Sequence, residues 1–127
     1  MSDANRAGAL LETEKGYYYG TEVDGSWWKR YWRDGWLSRG NAVVWVASDG
    51  VYFRRYLSKR VMRIPAANIA GITMGSKHAG RWFGAVTLKV QWRMDDKLLS
   101  SGFVVAKTEE ETNKWASVIR GLMTARD

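Results

Sequence analysis

The chain has no cysteine, one proline (Pro65) and one histidine (His78) in 127 residues. Without thiols, disulfides, zinc–thiolate sites and cysteine nucleophiles are excluded together. One histidine without a second ligand makes no metal site. Long apolar runs are missing too. The longest, AVVWVA at 42–47, falls far short of the ~20 residues that span a bilayer as a helix. The first thirty residues carry acids and nothing more apolar than ALL at 9–11, which predicts no secretory leader. The simplest location on these grounds is the cytoplasm. Acids are scarce through the middle: residues 26–94 hold two against thirteen bases, while both flanks are slightly acidic and the net charge is +7.

Aromatic rings are plentiful. Eight Trp, six Tyr and three Phe make up 13% of the chain. The length fits one domain, and the 46% apolar content fits one ordinary core. A core of that size does not hide every ring. Some fill the core, and the others belong in a groove, at an oligomer interface or at a membrane surface. The cluster Trp27, Trp28, Tyr31, Trp32 and Trp36 is too dense for all its rings to face inward from one element.

The pattern along the chain is mostly that of short strands. Residues 1–15 are polar and predict a flexible tail, with one helical turn near 7–11. Residues 16–38 read as an aromatic-rich extension, with turns at Asp24-Gly25 and Asp34-Gly35 and strand formers at 27–32. Two apolar, β-branched runs, 42–48 and 51–56, flank Asp49-Gly50 and predict a hairpin. A short strand at 61–64 ends at Pro65, whose ring fixes its own φ and holds the preceding residue extended. Residues 69–74 predict a further strand, and 75–81 a polar, glycine-bearing loop. Val86, Leu88, Val90 and Trp92 alternate with Thr87, Lys89 and Gln91, the period of a strand with one wet face. Asp95-Asp96 makes a turn and 98–105 returns, with Gly102 marking a bulge or a close backbone approach. The period then changes. Thr108 with Glu111 forms a capping box, and Trp115, Val118, Ile119, Leu122 and Met123 form a helical stripe. Many strands followed by one amphipathic helix predict a curved antiparallel sheet or partial barrel with the helix over an opening.

Two basic groups are candidate binding patches: Lys29, Arg30, Trp32 and Arg33, and Arg54, Arg55, Lys59 and Arg60. Such fields attract phosphates of lipid or nucleic acid. The alternative for each is a solvated sheet face. No catalytic constellation is present. His78 lies beside Lys77 and Arg81 in a predicted loop, turn chemistry explains Asp95-Asp96, and the helix cap explains Glu109 to Glu111. Catalytic residues, metal ligands, cofactors and a small-molecule substrate are therefore not expected.

Three segments carry a resemblance to a known family. RGNAVVWVASDGVYF at 39–53 is similar to the first hairpin of pleckstrin-homology-like domains, in which an apolar-x-Phe follows the turn. IPAANI at 64–69 is similar to that family's isoleucine–proline junction. The final helix with Trp115 looks like its C-terminal helix and core tryptophan. The chain thus resembles the bacterial branch of the pleckstrin-homology (PH) and GRAM-like superfamily. The resemblance implies a split barrel of two near-orthogonal antiparallel sheets capped by the helix, with residues 39–127 as the domain and Trp115, Pro65 and Gly50 in structural roles. It also implies a binding scaffold without catalysis. Some members hold phosphoinositides through bases in the loop between the first two strands. That loop here, 48–50, has no base, and Arg54 and Arg55 only echo the pattern. The expected function is a non-catalytic module for protein contacts or self-assembly, through sheet edges and exposed aromatics. One alternative is peripheral binding to anionic lipid at the inner face of the membrane, and a second is single-stranded nucleic acid.

Overall fold

The strand and turn signals are realised in a computed structural model that describes residues 6–23, 26–30, 39–78 and 81–125. Its elements are β1 (Leu11–Val23), β2 (Ser26–Arg30), β3 (Gly40–Ala47), β4 (Gly50–Arg55), β5 (Met62–Pro65), β6 (Ile69–His78), β7 (Arg81–Met94), β8 (Lys97–Val104) and α1 (Glu109–Ala125). Short 3-10 turns cover Arg6–Gly8 and Ala66–Asn68. The strands pair antiparallel in the order β5-β4-β3-β1-β8-β7-β6, with β2 alongside β1.

β1 joins the two halves. Leu11 to Tyr18 pair with β3, and Tyr17 to Val23 pair with β8. A strand that changes partner along its length has to bend, and bulges supply the bend. The register slips between Thr13 and Gly16 on the β3 side and between Tyr18 and Gly20 on the β8 side. Gly20, opposite Gly102, takes φ +99°, a conformation that costs glycine little. At Gly16 the strands close in: a Cβ there would sit 2.9 Å from Val44 Cγ2 and 3.2 Å from the carbonyl oxygens of Ala42 and Val104. The two expected sheets are thus continuous through one shared strand.

α1 forms as its stripe predicts. Thr108 Oγ1 accepts the Glu111 N–H at 3.1 Å, an N-cap bond. Trp115, Ala116, Ile119 and Leu122 are buried against the interior. The helix packs on β6 and β7 from one half and on β4 from the other, so it spans the opening between them. Arg120 reaches across to the Ile72 carbonyl on the outer edge of β6. The core beneath is continuous, with Tyr18, Phe53 and Phe103 in mutual ring contact at its centre. One polar chain is buried with it. The Trp92 indole N–H donates to Ser101 Oγ, which bonds Thr21 Oγ1, and Thr21 in turn bonds the Tyr18 hydroxyl.

Hairpin β3–β4 forms as expected, but its turn is Ser48-Asp49, one residue earlier than the predicted Asp49-Gly50, with Ala47 opposite Gly50. Gly50 is tightly placed, since a Cβ would lie 2.4 Å from the Ile64 carbonyl oxygen of β5. The outer face of this hairpin holds a second small cluster, Val43, Trp45, Ala47 and Tyr52. Ala9 packs against it, and the Arg6 guanidinium lies 6.0 Å from the centre of the Trp45 ring. Arg6 also pairs with Glu12 and Glu14.

Two expectations are corrected. Residues 11–15, read as tail, begin β1, and residues 11–23 lie inside the sheet rather than ahead of a domain starting at 39. Pairing with β3 overrides the weak local strand tendency of LETEKG. Residues 75–81, read as a loop, are mostly strand: Lys77 pairs with Trp82 and His78 with Arg81, with a register slip between Gly75 and Lys77. Polar residues on a hairpin arm need no loop when the ladder satisfies their backbone. The predicted turns at 24–25 and 34–35 fall outside the described residues.

Candidate binding surface

The β4–β5 connection concentrates exposed features that the core does not use. β4 leaves the sheet at Arg55, opposite Ala42. The Tyr56 N–H donates to the Asn41 carbonyl at 2.9 Å, and the Ser58 N–H donates to the Arg55 carbonyl at 3.1 Å. That second bond closes a tight turn whose third residue is Leu57, with φ +65°. This position ordinarily goes to Gly or Asn, because a Cβ is crowded there. Leu57 is also wholly exposed, at 106% of its reference area. The neighbouring Tyr56 is exposed, and its hydroxyl donates to the Glu14 carbonyl of β1, which ties the turn to the sheet.

The second basic patch surrounds this turn. Arg54 donates to the Ser58 carbonyl at 3.4 Å, so its guanidinium folds back along the turn. Arg55 is half-buried at the base, and Lys59 and Arg60 are exposed on the far side. The Arg60 N–H donates to Ser58 Oγ, which holds the exit strand in place. Arg55, Lys59 and Arg60 form no ion pair among the described residues. Arg63, close in sequence, points elsewhere: it lies opposite Tyr52 and 3.6 Å from Asp49 at the other end of the hairpin. Arg54 and Arg55 thus enter the turn from β4 on opposite faces of the strand, and Lys59 and Arg60 follow it, exposed.

For the first patch, Lys29 and Arg30 belong to the backbone of β2, and Trp32 and Arg33 lie outside the described residues. Of the structural residues, Trp115 is 5% exposed in the core, Pro65 ends β5 opposite Gly50, and Gly50 sits against Ile64. Asp95-Asp96 forms the β7–β8 turn, with Asp95 at φ +56°. Glu109 to Glu111 open α1. Among the described residues no group of three or more His, Cys, Asp or Glu is placed to hold a metal ion, and no helix is long and apolar enough to cross a membrane.

Sequence reasoning missed Leu57 itself. The signal was available: one large apolar residue between a tyrosine and a run of bases, outside the alternation of β4. A second feature gave no signal. A cleft of about 390 Å³ lies between Thr13 and Lys15 of β1 and residues 104–107, where β8 ends.

A sheet of this order closed by a C-terminal helix has a counterpart in a sequence comparison. Residues 2–120 match the family described as Bacterial PH domain-like. The chain belongs to that family. Its match begins ahead of β1 and so takes in the strand that the sequence reading had left outside the domain. No curated protein shows significant similarity to this bacterial PH-like domain. PH-like domains are generally non-catalytic binding modules.

Proposed function

We propose that this domain is a non-catalytic module that docks on anionic membrane through the β4–β5 turn. The observation that carries the reading is Leu57: a large apolar side chain held outward at positive φ, wholly exposed, in the middle of four bases. Folding gains nothing from that arrangement. It exposes apolar surface and costs about 1 kcal/mol or more in backbone strain. Strain kept at an exposed tip points to a use outside the fold. At a bilayer, the leucine leaves water while the bases meet lipid phosphates. About 1 kcal/mol per base near an anionic leaflet, with about 1 kcal/mol for a leucine that inserts in part, gives roughly 4 to 5 kcal/mol. That corresponds to an apparent dissociation constant of about 1 mM lipid or somewhat below.

Sedimentation with phosphatidylserine-containing and pure phosphatidylcholine vesicles, at low and high salt, tests the proposal. Binding to the anionic vesicles that weakens with salt, and that Lys59→Glu with Arg60→Glu abolishes, is expected. Absence of binding at low salt rejects it. Binding to a labelled oligothymidine instead of vesicles would reassign the surface to single-stranded nucleic acid.

A second reading, protein contact through a sheet edge, is favoured by a different observation. Residues 11–16 of β1 pair with β3 on one side and, among the described residues, have no strand on the other.

A further inference from the structure

β8 meets β1 first at Tyr17, opposite Val104, and then stops. Past that point the chain turns away. Val105 is buried in the core, Ala106 is half-buried, Lys107 is exposed, and α1 begins at Glu109. Upstream of the pinch at Gly16, β1 and the β8–α1 connection therefore separate. The gap is the cleft of about 390 Å³ lined by Thr13, Lys15, Val104, Val105, Ala106 and Lys107. Three properties coincide there. One wall is a stretch of β1 that has no strand beside it among the described residues. The connection contributes three small apolar residues. Lys15 and Lys107 stand on opposite sides, both exposed, and neither forms an ion pair among the described residues.

We infer that this cleft receives an extended acidic segment of a partner protein. The segment takes up the line of β8 beyond Val104, runs beside residues 11–16, and sets a carboxylate between Lys15 and Lys107. The inference rests on the protein-contact reading and is independent of membrane docking. The open edge decides the class of ligand. Unpaired main-chain groups of a strand are satisfied by another strand, which a lipid headgroup does not provide. The two lysines decide the sign of the charge, and the half-buried Val104 and Ala106 offer apolar contact to side chains alternating with the acids. The internal bond from the Lys15 N–H to Thr13 Oγ1 at 3.1 Å closes the bulge on itself, so pairing is limited to the few residues around it. A short motif, not a long strand, fits that length.

The test uses the intact chain and a fluorescein-labelled hexapeptide of alternating valine and glutamate, read by anisotropy, with amide signals followed in parallel by NMR. Two control peptides accompany it: one with glutamine for glutamate, and one N-methylated along its backbone. The acidic peptide is expected to bind about tenfold more tightly than the glutamine version, from two exposed charge pairs. The N-methylated peptide is expected to lose binding. Shifts should fall on residues 13–16 and 104–107. Lys15→Glu with Lys107→Glu should cost about tenfold and leave the melting temperature unchanged, since both side chains are exposed. Equal affinity for the glutamine peptide, shifts confined to the β4–β5 turn, or an unaffected double variant would each overturn the inference. So would a concentration-dependent dimer that shields residues 11–16 without peptide, because the edge would then belong to a second copy. Vesicle binding is measured on the same double variant. Its persistence separates failure of the cleft from failure of the membrane surface.

Discussion

Replacing Leu57 with glycine separates what the fold needs from what the surface does. In most proteins, loss of a large apolar residue destabilises. Here the side chain is wholly exposed, so no burial is lost. The backbone stands at φ +65°, where a Cβ costs about 1 to 2 kcal/mol that glycine does not incur. Glycine also loosens the unfolded chain, which offsets about 0.4 to 1 kcal/mol of the gain. The net expectation is stabilisation by roughly 0.5 to 1 kcal/mol. For a domain of this size that raises the melting temperature by about 2 to 4 °C. Affinity for phosphatidylserine vesicles should move the other way. Losing about 1 kcal/mol of apolar insertion weakens it about fivefold. Calorimetry and vesicle sedimentation on the same sample read both quantities. A variant that melts several degrees lower with unchanged vesicle affinity would refute the reasoning, because Leu57 would then be serving the fold.

Other substitutions probe the scaffold. Gly50→Ala places a Cβ 2.4 Å from the Ile64 carbonyl oxygen and forces β4 and β5 apart, costing about 2 to 3 kcal/mol in urea unfolding. Ile119→Ala empties a fully buried site beneath the helix and should cost about 3 kcal/mol, with the helical circular dichroism signal lost at lower urea. Ser101→Ala removes the partner that Trp92 Nε1 reaches at 3.0 Å and Thr21 Oγ1 at 2.7 Å, and should cost about 2 kcal/mol with a shift in tryptophan emission. Thr108→Ala deletes the bond to the Glu111 N–H at 3.1 Å and should cost about 1 kcal/mol, while Thr108→Ser restores it.

What could be read from residues alone follows the range of the interactions involved. The hairpin of β3 and β4 was legible because AVVWVA, Asp49-Gly50 and VYFRRY are adjacent, and the turn specifies the pairing. α1 was legible because its cap and stripe lie within one element. β1 was not. LETEKG is charged and lacks β-branched residues apart from Thr13. It becomes a strand because β3, about thirty positions on, supplies its ladder, while β8, about eighty-five positions on, supplies that of residues 17–23. The arm at 75–78 pairs locally, but GSKH has neither β-branched residues nor alternation, so nothing in the pattern marks it as strand. In the run 42–47, apolar residues on both faces mean cover on both sides, and the outer cover proves to be Ala9 and Arg6, which no local pattern indicates. At the surface, Arg54, Arg55, Lys59 and Arg60 stand out in the sequence because they are neighbours in it. The cleft beside Lys15 was not, because it exists only where two distant segments part company.

β1 is the earliest of the eight strands to be synthesised and the last to be completely paired. Its partner β3 follows soon after, but residues 17–23 wait for Val104 and its neighbours on β8. During that interval Tyr18 lacks Phe103, and Thr21 lacks Ser101. A chain whose opening and closing strands must meet carries a large entropic delay in folding. For this domain, the yield of native protein during translation depends less on the strength of any single hairpin than on how long the β1 edge is shielded until the final quarter of the chain arrives.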